Sequence, residues 1–106
     1  MIDGWVRLGP CSLWDPSSGR PFDVRGRELA VFRTEAGFYA LQHRCPHRGG
    51  PLALGMVCDG AVTCPWHEWR FELKSGQSLV NPKLRIRTYP TEVRGDEVWV
   101  RLDPTG

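Results

Sequence analysis

The chain has 106 residues, 41% of them hydrophobic and 25% charged, with 14 basic and 12 acidic side chains and a net charge of +2. That length makes one ordinary domain, and the apolar fraction excludes a disordered chain. The charges are balanced and mixed along the sequence, which argues against nucleic acid as a partner, and no segment approaches the roughly 20 apolar residues of a membrane helix.

In chain order, "MIDGWVRLGP" lacks the basic start and apolar run of a signal peptide, so a soluble, cytoplasmic setting is expected. "WVRL" (5–8) reads as a first strand, and "CSLWDP" (11–16) admits a short helical turn. "ELAVFRT" (28–34) and "FYALQH" (38–43) are rich in β-branched and aromatic residues, and "EAG" (35–37) joins them into a hairpin. Residues 44–72 differ in carrying two loops with Cys, His, Pro and Gly, joined by "LALGMVCDGAVT", where Gly55 and "DG" (59–60) predict a short hairpin. "RIRTY" (85–89) alternates Arg85, Arg87 and Tyr89 against Ile86 and Thr88. "EVWVRL" (97–102) alternates Val98, Val100 and Leu102 against Trp99 and Arg101, and "RGD" (94–96) is a tight turn before it. No window sustains a 3.6-residue period with caps, and nine prolines and twelve glycines punctuate the strands. The expected class is all-β, an antiparallel sandwich or barrel that holds two loops at one end.

Those loops carry the chemistry. "HRCPHRGGPL" (43–52) and "CPWHEWRF" (64–71) give Cys45-x-His47, sixteen residues, then Cys64-x-x-His67. Four cysteines could form two disulfides, but a cytosolic setting and the Cys/His spacing point to metal. Thiolates are soft ligands and imidazoles borderline, so the set suits zinc or an iron–sulfur centre. Each loop supplies one ligand of each kind, unlike a zinc finger, and that suits two metal atoms, one taking both cysteines and the other both histidines.

The spacing, with Gly49, Gly50 and Pro51 after the first pair and Pro65 inside the second, resembles the signature of Rieske 2Fe–2S domains, and the resemblance runs from "WVRL" to "VWVRL". It implies a Rieske-like β fold over residues 1–106, with a cluster-binding subdomain at about 44–72. It also implies one 2Fe–2S cluster, with Cys45 and Cys64 on the inner iron and His47 and His67 on the outer, solvent-facing iron. Gly49 and Gly50 would let backbone N–H groups reach the sulfides, Pro46 and Pro65 would stiffen the loops, and "NPKL" (81–84) would form a third loop with Pro82 over the cluster. The respiratory branch of the family has a disulfide between the two loops, at the positions of Gly50 and Trp66 here. It also has a Ser and a Tyr that donate to sulfur, at the positions of Trp69 and Phe71. With fewer donors to sulfur, the potential is expected toward the low end of roughly −150 to +300 mV. The outer N–H of each ligand imidazole, acidified by the oxidised centre, would make the potential fall as pH rises through its titration.

Other residues have plainer readings. Cys11 and Cys58 fall outside the pattern and read as free thiols, His43 as a strand residue, and Trp5 and Trp99 as core or sheet-face residues. Trp66 would shield the cluster or dock a partner, and Arg44, Arg48 and Arg70 would form a positive rim able to steer an acidic one. No nucleophile–base pair, phosphate loop or second cofactor motif is present in the sequence. The expected function is a one-electron carrier between a reductase and a terminal enzyme such as a ring-hydroxylating dioxygenase. The alternative within the family is the small subunit of a cytoplasmic NAD(P)H nitrite reductase, whose large subunit would be the partner; "CPHRGGPL" and "HEW" (67–69) resemble it. From another class, a structural zinc domain mediating assembly would use the same four ligands. A fragment of a larger oxygenase is disfavoured by Met1 and by a strand closing near Leu102.

Overall fold

Leu29, Ala30, Val31 and Phe32 are four consecutive apolar residues, and all four are fully buried. Successive side chains of a strand point to opposite faces, so such a run needs cover on both sides. In the computed structural model, which describes residues 4–44, 50–65 and 69–102, both sides are covered. Leu29 and Val31 enter one apolar core with Trp14, Ala40, Val98 and Val100, whereas Ala30 and Phe32 enter a second with Leu41, Leu52, Val62 and Phe71.

The described strands are β1 (Trp5–Pro10), β2 (Ser18–Val24), β3 (Arg27–Thr34), β4 (Gly37–Gln42), β5 (Met56–Cys58), β6 (Ala61–Thr63), β7 (Arg70–Glu72), β8 (Thr88–Tyr89), β9 (Thr91–Arg94) and β10 (Glu97–Arg101). They form three antiparallel sheets, in the orders β1-β10-β9, β2-β3-β4-β8 and β5-β6-β7. The four-stranded sheet is the middle layer. One face packs on the sheet of β1, β10 and β9, and the other on the small sheet that follows the first ligand loop. No helix among the described residues is long and apolar enough to cross a membrane.

The expected hairpin of β3 and β4 forms in register, Phe32 opposite Tyr39 and Thr34 opposite Gly37. Asp59 and Gly60, both at positive φ (51° and 76°), make the turn from β5 to β6, where Asp-Gly is favoured. β10 alternates as read, with Val98 and Val100 buried and Arg101 exposed. Outside it, Arg94 lies over Trp5 and Trp99, 5.3 and 4.7 Å from their rings, so both indoles are sheet-face residues.

Residues 85–89 depart from expectation. Only Thr88 and Tyr89 join a ladder, and Ile86 and Tyr89, three apart, are both buried. Arg85 forms a bridge with Gln77, and the chain then turns onto β4, so the two halves of "RIRTY" belong to different pairings. The strand β2, "SGRPFDV", has no clean alternation and is set by its pairing with all of β3. The turn Cys11–Leu13 is 3-10 helical. It delivers Trp14, which is 2% exposed, donates from Nε1 to the Val31 carbonyl at 2.8 Å, and packs against Phe22 and Phe38.

Trp14→Phe removes that donor and leaves part of a packed site empty. It should lower the unfolding free energy by about 1–3 kcal/mol, read as a lower denaturant midpoint with unchanged slope. A change below about 0.5 kcal/mol would show that the indole does not tie the 11–14 turn to β3.

Candidate metal centre

The first loop leaves β4 through His43 and Arg44 and returns at Pro51 and Leu52. Its stem is closed by an antiparallel bridge between Arg44 and Pro51 and by the Leu52 N–H donating to the His43 carbonyl at 2.9 Å. The His43 ring adds a lock, its Nδ1 accepting from the Ala53 N–H at 3.3 Å. Burial pushes the His43 imidazole below its ordinary pKa, which suits a neutral acceptor. Beside it Arg44 meets Glu28 with two N–H groups, at 2.8 and 3.1 Å. The hydrogen bond from Arg44 holds the Glu28 carboxyl below the usual range. Arg44 is therefore engaged at the stem rather than standing free on a positive rim.

The second loop is narrower. The Cys64 N–H donates to the Trp69 carbonyl at 2.6 Å, which closes the stem of the loop between β6 and β7. The Val57–Val62–Phe71 row points inward, and Cys64 continues it with a fully buried side chain. Phe71 is also fully buried, and Trp69 is half-buried against the same core.

The two stems meet at Gly55. A Cβ there would lie 2.2 Å from the Thr63 carbonyl oxygen, 2.9 Å from Val62 Cγ2 and 3.1 Å from the Leu52 carbonyl oxygen. Only glycine lets the 3-10 turn Leu52–Leu54 press this closely on β6. Leu52, Ala53, Val62, Cys64 and Phe71 then form one core, and both loops open from it.

Of the expected ligands, Cys64 is described, while Cys45, His47 and His67 lie outside the described residues, as do Pro46, Arg48, Gly49 and Trp66. Among the described residues no three His, Cys, Asp or Glu side chains converge. The donor chemistry nonetheless fits an iron–sulfur group. Cys64 is a free cysteine with a fully buried side chain in an apolar position at the base of its loop, a soft sulfur donor of the kind an iron–sulfur group takes. The other described cysteines are also free, Cys11 half-buried and Cys58 exposed, and neither belongs to a loop stem. Gly50 is buried at the returning end of the first loop and carries no thiol, so a disulfide to the second loop cannot form there.

The third loop is Ser75–Arg87, tied from within. Gln77 Nε2 donates to the carbonyls of Pro82 and Leu84 at 3.1 and 3.0 Å, and Ser78 Oγ accepts from the N–H groups of Val80 and Asn81 at 3.1 and 2.9 Å. Asn81-Pro82 marks the loop in the sequence, whereas Gln77 and Ser78, which fix it, carry no such signal. Pro82 itself is exposed. The loop is anchored beside the second stem, the Leu79 N–H donating to the Arg70 carbonyl at 2.8 Å and Ser78 bridging Phe71.

Comparison with known proteins agrees with this architecture. The family model for the Rieske 2Fe–2S domain matches residues 4–90. The ferredoxin component of the alkene monooxygenase system of Xanthobacter autotrophicus is 31% identical over 93 residues, covering 87% of this chain and 75% of that protein. The 4beta-methylsterol monooxygenase of Methylococcus capsulatus is 37% identical over 87 residues, 71% of this chain. The chain spans only about a quarter of the length of that protein and of two demethylase relatives it matches, 23% to 27%. Among solved structures, the ferredoxin of carbazole 1,9a-dioxygenase from Nocardioides aromaticivorans superposes with a TM-score of 0.87 at 28% identity, covering 93% of this chain and 98% of that one. A protein assigned as the small subunit of NADPH nitrite reductase superposes with a TM-score of 0.86 at 26% identity, covering 92% and 98%. Two loop stems closed on one core around a buried cysteine, together with a family match over most of the sequence, place this chain in the Rieske 2Fe–2S domain family.

Proposed function

We propose that this chain is a one-electron carrier whose 2Fe–2S cluster is held by Cys45 and Cys64 on one iron and by His47 and His67 on the other. It would form a single domain over residues 1–106, with the cluster-binding part at about 44–72, and would pass electrons in the cytoplasm from a reductase to a terminal oxygenase. The observation that carries this reading is the convergence of the two loop stems on one core, with the Cys64 thiol fully buried at its edge. When bound, the cluster supplies reversible one-electron chemistry. The chain's own residues hold it, exclude water from its inner side through Leu52, Phe71 and Trp69, and keep the two loops at a fixed spacing through Gly55. Similarity to a ferredoxin component over most of that protein's length supports a free-standing carrier.

A second reading is the small subunit of a nitrite reductase. The likeness to the small-subunit structure is as extensive as the likeness to the carbazole ferredoxin, and "HEW" at 67–69 favours it. In that case the partner is a large subunit rather than an oxygenase. Reconstitution with each type of partner separates the two, because only the true acceptor turns over at the expense of the reduced carrier.

Purified protein should be coloured, contain about two irons and two labile sulfides per chain, and bleach with dithionite. A colourless protein with one zinc per chain would replace the carrier by a structural zinc domain. His67→Cys should remove the mixed-ligand spectrum even where a cluster still assembles, and an unchanged spectrum would exclude His67 as a ligand. Phe71 lacks a hydroxyl and is fully buried beside Cys64, and Trp69 also has no hydroxyl, so neither donates an O–H to sulfur. The midpoint should therefore lie toward the low end of roughly −150 to +300 mV, and a value well above zero in a redox titration would contradict this.

A further inference from the structure

The third loop presents apolar side chains to solvent while its backbone is tightly bonded. Leu79 and Val80, adjacent at its tip, are 52% and 56% exposed. They are not there through looseness. Ser78 Oγ caps the N–H groups of Val80 and Asn81, Asn81 Oδ1 accepts from the Lys83 N–H at 3.0 Å, and Gln77 cross-links the returning leg. A preorganised apolar tip loses little entropy when covered, as a recognition surface requires.

The tip stands at the end of the molecule that bears the ligand loops. Met56 pairs with Thr63, Thr63 pairs with Arg70, and the Arg70 carbonyl accepts from the Leu79 N–H. Paired residues of neighbouring strands project to the same face, so Met56, Thr63 and Arg70 form one outward row that ends at Leu79. Met56 is 75% exposed, and Cys64 and Trp69 follow Thr63 and precede Arg70.

Charge gives the partner's character. From residue 73 to residue 91 the sequence has Lys74, Lys83, Arg85 and Arg87 and no acidic residue, and all four cations are exposed. Arg85 Nε is held by the Ser75 carbonyl at 3.0 Å, which fixes the guanidinium beside the leg of the loop. Glu35, Asp59 and Glu72 line a cavity at the turn end of the β5–β6 hairpin together with Lys74, away from Met56 and Thr63, and Glu72 accepts from Ser75 Oγ at 2.6 Å where the loop begins, so the cations left to the tip are Lys83, Arg85 and Arg87.

We propose that the Ser75–Arg87 loop is the docking element for the redox partner, and that the partner offers an apolar recess rimmed by carboxylates, which takes Leu79 and Val80 while Lys83, Arg85 and Arg87 meet the rim. The proposal rests on the electron-carrier reading. Apolar contact would set how long the complex lives, and the cations would steer its encounter.

The test uses the holoprotein and an acidic flavodoxin as electron donor, with basic cytochrome c as the opposite probe. One electron leaves the flavin hydroquinone and enters the chain's centre, and stopped-flow absorbance follows both. Reduction by flavodoxin should be fast at low salt and slow as salt rises. K83E/R85E/R87E should cut the low-salt rate on the order of tenfold and remove the salt dependence, while speeding exchange with cytochrome c. L79S/V80S should slow the reaction at high salt and keep the salt dependence. Midpoint potentials and thermal unfolding of each variant, all altered only at exposed positions, separate docking from driving force and from folding. A low-salt flavodoxin rate within twofold of the parent's after charge reversal would overturn the proposal. So would a dimer that sedimentation shows to dissociate in L79S/V80S, because the tip would then be covered by a second copy. Either result in a coloured, dithionite-bleachable protein leaves the electron-carrier reading intact, whereas a colourless, iron-free parent protein removes both.

Discussion

Everything at the ligand end depends on the close approach of the Leu52–Leu54 turn to β6, which Gly55 allows. A mixed-ligand cluster needs donors from two loops that are distant in sequence, and neither loop can position the other. The shared core of Leu52, Val62, Cys64 and Phe71 does that work by holding both stems against a single apolar surface. Ion pairs add little to this. The Arg44–Glu28 pair is exposed and dresses the outer side of the first stem, while the closure itself is made by backbone hydrogen bonds and by His43.

The middle sheet connects this end to the rest of the domain. Because β3 is buried on both faces, the sheet has no solvent-exposed side in its centre, and displacement of either outer layer would expose half of the Leu29–Phe32 run. Trp14 ties the 11–14 turn to β3, and the Arg94 stack on Trp5 and Trp99 pins β1, β9 and β10 on their outer face. A rigid frame suits an electron carrier, since a centre whose surroundings barely move needs little reorganisation when its charge changes.

Much of this was legible in the residues. The β3–β4 and β5–β6 hairpins and the alternation of β10 each rest on short-range signals, Asp-Gly chemistry and a period of two, whereas of the two Cys/His pairs only Cys64 is among the described residues. What escaped was long-range. Trp14 reads as part of an irregular turn, and only the fold shows that its indole is needed above β3. β2 has no pattern of its own and is imposed by its neighbour. "RIRTY" looked like one strand because its local alternation is clean, yet Ile86 answers to one core and Tyr89 to the other. Arg44, grouped by sequence with the cationic rim, is committed to Glu28, sixteen residues away. Gln77 and Ser78 gave no sequence signal, because polar residues that fold a loop onto itself look like any solvated pair.

The central claim is that one iron is bound by sulfur alone and its neighbour by two imidazoles. Mössbauer spectroscopy of iron-57-labelled protein addresses it directly. Two inequivalent iron sites in equal amounts, with the added electron localised on one of them after reduction, are the result that this account predicts. A pair of equivalent irons, or a protein that holds no iron when grown with it in excess, would contradict it.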